Sequence, residues 1–517
     1  MKTLPTVGRS MSTKYHRKGW CAGALVAVLV PGALVSPPAH AVAGGGVARA
    51  VDYGFIAKIE VSGARGCTGV LIDPEWVLTA RSCFSGNGVQ AAAAGSPMAE
   101  AIIGRPDLAT NAGKSVSVMS VVSHPERDVA LGRLAEPVWN VDRPAIARTA
   151  PGQGEVLRVA GFGRTEDVWV PDKLQHARFR VQSVASTTVE VVGEDGASTC
   201  KGDAGGPALR ERNGAVELVA INSASWQKGC LEVSETRQGG IETRVDGLDP
   251  WLRQHVPNLY IECKSAVPIF AVHPDDTMWL DQHTAPRYGN DSWIDGFRIG
   301  GPGWLNGRAF ASVDGVVYGA KENGELRRLR WNGTGWDRPN PDHWYDVIDY
   351  GWERYTTDAY RNRVTADSKG HIYTIEPDGN LHWRSYDHAT KRWEHRVVES
   401  GWGQYDLIVA AGDGVLYART PDGKLFRHHY DAEGQRWISR SGQIGAAWNM
   451  YHSITSAGAD ILYGIRSSWY NDASYWYRYL PDAQKWAETG TRGGKLLSRR
   501  WNRTHNVVAA PDSCRLL

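Results

Sequence analysis

The chain has almost no surplus charge: 58 Lys and Arg against 56 Asp and Glu leave a formal net charge of +2 over 517 residues. That balance argues against a nucleic-acid polyanion as main partner. Its seven cysteines show no Cys-x-x-Cys spacing and no metal-ligand cluster stands out, so neither a metal nor another cofactor is expected. No phosphate-binding glycine loop precedes a helix. Long apolar runs are lacking too: residues 20–35 are short for a membrane span and are interrupted by Pro31.

What is present begins with a leader. Lys14, Arg17 and Lys18 precede that apolar run, and Ala39, His40 and Ala41 form a small-residue cleavage site, so residues 1–41 read as a signal peptide. The location implied is secreted, extracellular. Cys21 leaves with the leader, and the remaining six cysteines pair without remainder in an oxidising compartment. The length exceeds one domain, and composition shifts near residue 260, with sixteen of the 22 tryptophans beyond Cys263.

Five segments of the first half stand in a telling order. They are Cys67-Thr-Gly-Val-Leu-Ile72 with Trp76-Val-Leu-Thr-Ala-Arg-Ser-Cys83, then His124-Pro-Glu-Arg-Asp128-Val-Ala-Leu131, then Val159-Ala-Gly-Phe-Gly-Arg164, then Cys200-Lys-Gly-Asp-Ala-Gly-Gly-Pro207, then Val219-Ala-Ile-Asn-Ser223 running on to Cys230. Together they resemble the trypsin-like serine proteases over residues 42–256, which implies a chymotrypsin-like double β-barrel. The resemblance places Asp128 as the retained triad acid, Ser82 where the general-base His is expected and Ala204 where the nucleophilic Ser is expected. It also implies an oxyanion hole from Gly202 and Ala204, a pocket with Ser198 and Ser223, and bridges Cys67–Cys83 and Cys200–Cys230, leaving Cys263 for Cys514.

A triad works because an imidazole takes the Ser proton and a carboxylate orients that imidazole. Neither the Ser82 hydroxyl nor the Ala204 methyl can fill those roles, so hydrolysis is expected to be negligible. Asp128 then needs other donors if it is buried, and Ser82 and Ser223 are the candidates. Ser198 offers no acid to select Lys or Arg. Val42-Ala-Gly-Gly45 resembles the family's new amino terminus, a partner for Asp203 in active relatives; a flexible spacer is the alternative.

Beyond a terminal helix at residues 249–256 and a linker at 257–268, a repeat appears. Trp304, Trp352, Trp402, Trp448 and Trp501 are spaced 48, 50, 46 and 53 apart, Tyr318, Tyr373, Tyr417 and Tyr463 follow them, and Asp-Gly turns occur at Asp378 and Asp422. Units of this length with several short strands indicate a β-propeller at residues 263–517. Residues 507–510 complete the unit begun at 269–272, which makes five blades closed by pairing the chain ends, with Cys263 and Cys514 beside the join. The units resemble tachylectin-2-type propellers, which implies binding of glycans carrying N-acetylated sugars. Most of the aromatics, including the Gly-Trp and Tyr series, are expected to pack between blades. The fold class expected is therefore all-β. The function expected is an inactive protease domain with a carbohydrate-binding propeller, and a peptide or protein at the degenerate cleft; the rival reading is an active secreted endopeptidase delivered by its lectin domain.

Overall fold

Short runs alternating apolar and polar residues pair as antiparallel strands, because alternate side chains then share one buried face. In Ile56–Val61, Ala57, Ile59 and Val61 turn inward while Lys58 and Glu60 face outward and pair at 2.8 Å. The computed structural model describes residues 46–47, 53–61, 65–85, 95–304, 306–339, 341–466, 473–487, 493–498, 501 and 506–517. The leader and the Val42–Gly45 segment lie outside them.

Two barrels form the first half. Ile56–Val61, Arg65–Asp73, Trp76–Thr79, Ala130–Leu134, Lys114–Ser123 and Ala99–Ile103 close into one. In the other, Val156–Gly161 pairs with both Gln175–Val184 and Pro207–Arg212, and the ring continues through Ala215–Ser225, Gly240–Arg244 and Thr188–Gly193. Closure leaves no open sheet edge. Leu157, Val159, Phe179 and Val191 fill the second interior. The bridges Cys67–Cys83, Cys200–Cys230 and Cys263–Cys514 are all present. The α-helix Asp249–His255 follows, with Pro250 in its first turn and Leu252 buried. Residues 257–268, expected as a linker, hold the 3-10 turn Pro257–Tyr260 and the short strand Ile261–Cys263.

The second half is a propeller arrangement of four-stranded antiparallel sheets. The first sheet joins Val267–Val272, Met278–His283 and Trp293–Gly300 to Asn506–Ala509 from the far end of the chain, with Ile269 opposite Ala509. The second, third and fourth occupy residues 307–349, 364–399 and 407–445. A seven-stranded sheet follows, built on Ser453–Gly458, Ile461–Arg466 and Ala473–Leu480 and extended by Cys514–Leu516 and Ile261–Cys263. The innermost strands neighbour one another in a cycle: 506–509, 307–311, 364–366, 407–410, 453–458 and back to 506–509.

Aromatic side chains wedge successive sheets together. The Trp336, Trp393 and Trp486 indoles donate to the carbonyls of Ile299, Ile348 and Ile444 on the outer strand of the preceding sheet. Trp352, Trp402, Trp448 and Trp501 are buried, as are all four tyrosines of the repeat. Barrels and propeller belong to one compact unit, 40–517. Tyr288 of the first sheet donates to buried Asp73 of the first barrel at 2.9 Å and meets Trp139 edge-on.

Candidate functional site: the cleft around Asp128 and Ala204

Ser82 sits in the 3-10 turn Arg81–Phe84, anchored by the Cys67–Cys83 bridge and by Arg65, whose guanidinium donates to the carbonyls of Ser82 and Ser85. Asp128 lies just before the strand Ala130–Leu134 and gathers three donors. The Ser82 amide reaches Oδ1 at 2.7 Å, the Ser82 hydroxyl reaches Oδ2 at 3.1 Å, and the Ser223 hydroxyl reaches Oδ2 at 2.7 Å. Both hydroxyls named from the sequence therefore turn their protons to this acid. Ser223 thereby caps the acid.

His124 is engaged elsewhere. Its Nδ1 accepts the amides of Glu126 and Arg127 at 3.1 Å, and its ring packs edge-on against Trp251. The Lys201 side chain is exposed. Arg81 donates to the carbonyls of His124 and Pro125. Among the described residues, no imidazole hydrogen-bonds Asp128.

The loop carrying Ala204 keeps a fixed backbone. The Asp203 amide donates to the Cys200 carbonyl, Gly206 to Asp203, and Gly205 to Asn222, while the Ala204 carbonyl accepts the Thr68 amide at 2.9 Å. Gly202 has φ +104°, and a Cβ there would stand 2.7 Å from the Gly163 Cα, so only glycine fits. Among the described residues, the amides of Gly202 and Ala204 donate to no protein acceptor. Paired backbone amides are what an oxyanion hole uses to hold a carbonyl or carboxylate oxygen, and the Ala204 methyl cannot attack one.

Beneath the loop lies a polar floor. Asp203 is fully buried and accepts the amides of Gly163 and Cys200, each at 2.8 Å. Burial pushes its carboxyl up to about 7 despite those two bonds. Glu242 is fully buried too, accepts Asn222 Nδ2 at 3.1 Å, and is raised to about 8 by burial, with the Asp203 carboxyl adding to the rise. Asn222 also donates to Thr199 Oγ1 at 2.9 Å. Ser198, next to Thr199, is buried with its hydroxyl unpartnered among the described residues. Glu242 went unmarked in the sequence because alternation along Gly240–Arg244, with Ile241 beside Glu242, points the acid outward.

Among the described residues, one group of potential metal ligands occurs in the propeller. Asp367, His371 and Asp413 bring one ligand atom each within 4.8 Å of one another. Their atoms already serve one another and the chain: His371 Nδ1 lies 3.0 Å from Asp367, and Lys369 Nζ lies 2.9 Å from Asp413.

Known proteins resemble the chain in two separate stretches. The trypsin family profile matches residues 42–252 and the tachylectin family profile matches residues 271–506. Among curated proteins, "Trypsin" of Squalus acanthias is 27% identical over 218 residues, covering 37% of this chain and 86% of its own length. "Serine protease 1" of Canis lupus familiaris is 24% identical over 221 residues, covering 38% and 82%. "Serine protease 56" of Mus musculus is 26% identical over 244 residues, covering 42% of this chain and only 38% of its own. Residues 42–252 are a trypsin-family domain, and residues 271–506 are a tachylectin-family domain.

Proposed function

We propose that this chain acts by binding and not by cleavage, as a secreted trypsin-like pseudoprotease whose propeller holds glycans bearing N-acetylated sugars. The observation that carries the first half of the reading is the cage around Asp128. Three donors from Ser82 and Ser223 occupy the carboxylate, so no imidazole is oriented there, and Ala204 supplies no oxygen. A carboxylate that orients hydroxyls cannot raise a base strong enough to activate a nucleophile. The open amides of Gly202 and Ala204 support a further role for the cleft, holding a peptide or protein segment without cutting it.

The second half rests on the tachylectin-family match and on aromatic-lined cavities between sheets. Ring faces cover the apolar side of a sugar while a few polar groups fix its hydroxyls, and repeated sites add by multivalency. The ring is read as five-bladed, a reading supported by the cycle of inner strands and by the Cys263–Cys514 bridge beside the chain ends. In this reading a signal peptide at 1–41 is removed, leaving a protease domain at 42–256 and, after the connecting segment, a propeller at 263–517. A glycan array tests the propeller role. Binding of N-acetylhexosamine glycans is expected; failure to retain any of them would remove the lectin half of the proposal.

A further inference from the structure

Pairing register puts one residue of each sheet at the same place beneath the leading tryptophan. Phe270, Tyr318, Tyr373, Tyr417 and Tyr463 oppose Leu280, Arg328, Trp383, Arg427 and Trp476. The residue after each partner is Asp281, Leu329, Arg384, His428 or Tyr477.

In three sheets that residue fills the space itself. Asp281 accepts the Trp501 indole N–H at 2.7 Å. The Arg384 guanidinium lies 5.6 Å from the Trp352 ring centre, donates to Thr374 Oγ1 at 2.5 Å and pairs with Glu376 at 3.1 Å. The His428 ring, 8% exposed, sits 5.0 Å from Trp402. Burial holds that imidazole down at about 4, so it plugs the site as a neutral ring.

In the other two sheets a cavity lies beside the leading tryptophan, in the second of them although the Tyr477 ring itself meets Trp448 at 4.7 Å. With Leu329, a cavity of about 290 Å³ remains beside the stacked pair Trp304 and Trp336. With Tyr477, one of about 280 Å³ remains beside the stacked pair Trp448 and Trp486. Both lie near the lower bound for small-ligand sites, about 300 Å³, a size suited to a single sugar ring. Each cavity also has a cation three residues past the buried tyrosine of its sheet, Lys321 after Tyr318 and Arg466 after Tyr463. The same position in the plugged sheets carries His273, Glu376 and Thr420.

We propose that the propeller carries two ligand sites, not five, and that both take an acidic pyranose, its ring against the tryptophan pair and its carboxylate on Lys321 or Arg466. The proposal rests on the glycan-binding reading above and names which sites carry it. Lys321 spends one of its three N–H donors on the Gly303 carbonyl, and the remaining two match a carboxylate. A cation in a half-enclosed, aromatic-walled cavity binds an anion more tightly than one in open water.

Calorimetric titration of the mature full-length protein at low salt, with N-acetylmuramate and the neutral N-acetylglucosamine as a matched pair, tests this. Two equivalents of the acidic sugar are expected, with the neutral one about tenfold weaker, the worth of one charge-assisted hydrogen bond. Lys321→Met and Arg466→Met should each leave one equivalent, the surviving site showing that the variant is folded. Equal affinity for both sugars, or five equivalents, overturns the acidic two-site assignment while leaving glycan binding intact. Absence of binding by either sugar overturns the glycan reading itself, and the assignment with it.

Discussion

In the cleft a single acid, Asp128, draws three hydrogen bonds from two segments far apart in sequence, whereas the propeller holds separate buried polar clusters in different sheets. There Asp460 holds Arg427 and Tyr417, and Asp367 holds His371 and Tyr373. The difference bears on how each kind of site responds to substitution. A catalytic cleft is one constellation, so two side chains remove its chemistry while loop backbone, bridges and barrels remain. A repeated site is lost piecemeal, one sheet at a time, and the sheets that carry Leu329 and Tyr477 at the shared position have a cavity there.

The largest expected effect tests the single-constellation side of that comparison. Ser82→His with Ala204→Ser should give esterase activity several orders of magnitude above the wild type, and either change alone should give little, because triad members act as a unit. Ester hydrolysis by the three variants measures it. Comparable gains from each single change would show that the groups do not work together here.

Opening the propeller ring comes next. Cys263→Ser removes a bridge spanning 251 residues, worth about 5 kcal/mol in the chain-entropy account. Two calorimetric transitions should separate, with the propeller's falling and the barrel's nearly still. A fall in both would mean that the regions unfold as one body through contacts such as Tyr288–Asp73.

The barrel floor gives the third. Asp203 at about 7 and Glu242 at about 8 stand well above the ordinary 3.8 and 4.5. The native state therefore keeps protons that the unfolded chain has released. Their contribution is greatest below pH 4 and declines as pH rises to about 8, by about 1.4 kcal/mol per pH unit for each group. Wild-type stability minus that of Glu242→Gln, followed by urea unfolding across that range, isolates the Glu242 part. An ammonium at Val42 seated on Asp203 would keep that carboxylate ionised and abolish the Asp203 slope.

The smallest effect concerns the cage itself. Ser223→Ala withdraws one of the three donors to Asp128 and should destabilise the barrel by about 1–3 kcal/mol. No loss would show that water replaces the hydroxyl without cost.

Much of this was legible in the residues. The family-like segments around Ser82, Asp128 and Ala204 pointed to the cleft, and the two hydroxyls expected to satisfy Asp128, those of Ser82 and Ser223, are the ones that donate to it. The recurring Trp and Tyr located the sheets, and residues 507–510 located the strand that completes the first one. Glu242 was hidden because alternation points it outward, and it is buried only because strand Gly240–Arg244 closes the second barrel beneath the nucleophile loop. The plugs Asp281, Arg384 and His428 were hidden for a related reason. Which side chain lies under a tryptophan depends on cross-strand register, and spacing along one chain does not fix that register.

Binding without cleavage is tested most directly by exposing the purified mature protein to a fluorophosphonate probe and reading covalent labelling by intact mass. No adduct is expected on the wild type, and a stoichiometric adduct at residue 204 is expected once Ser82→His and Ala204→Ser are both in place. An adduct on any barrel hydroxyl of the wild type would contradict the account.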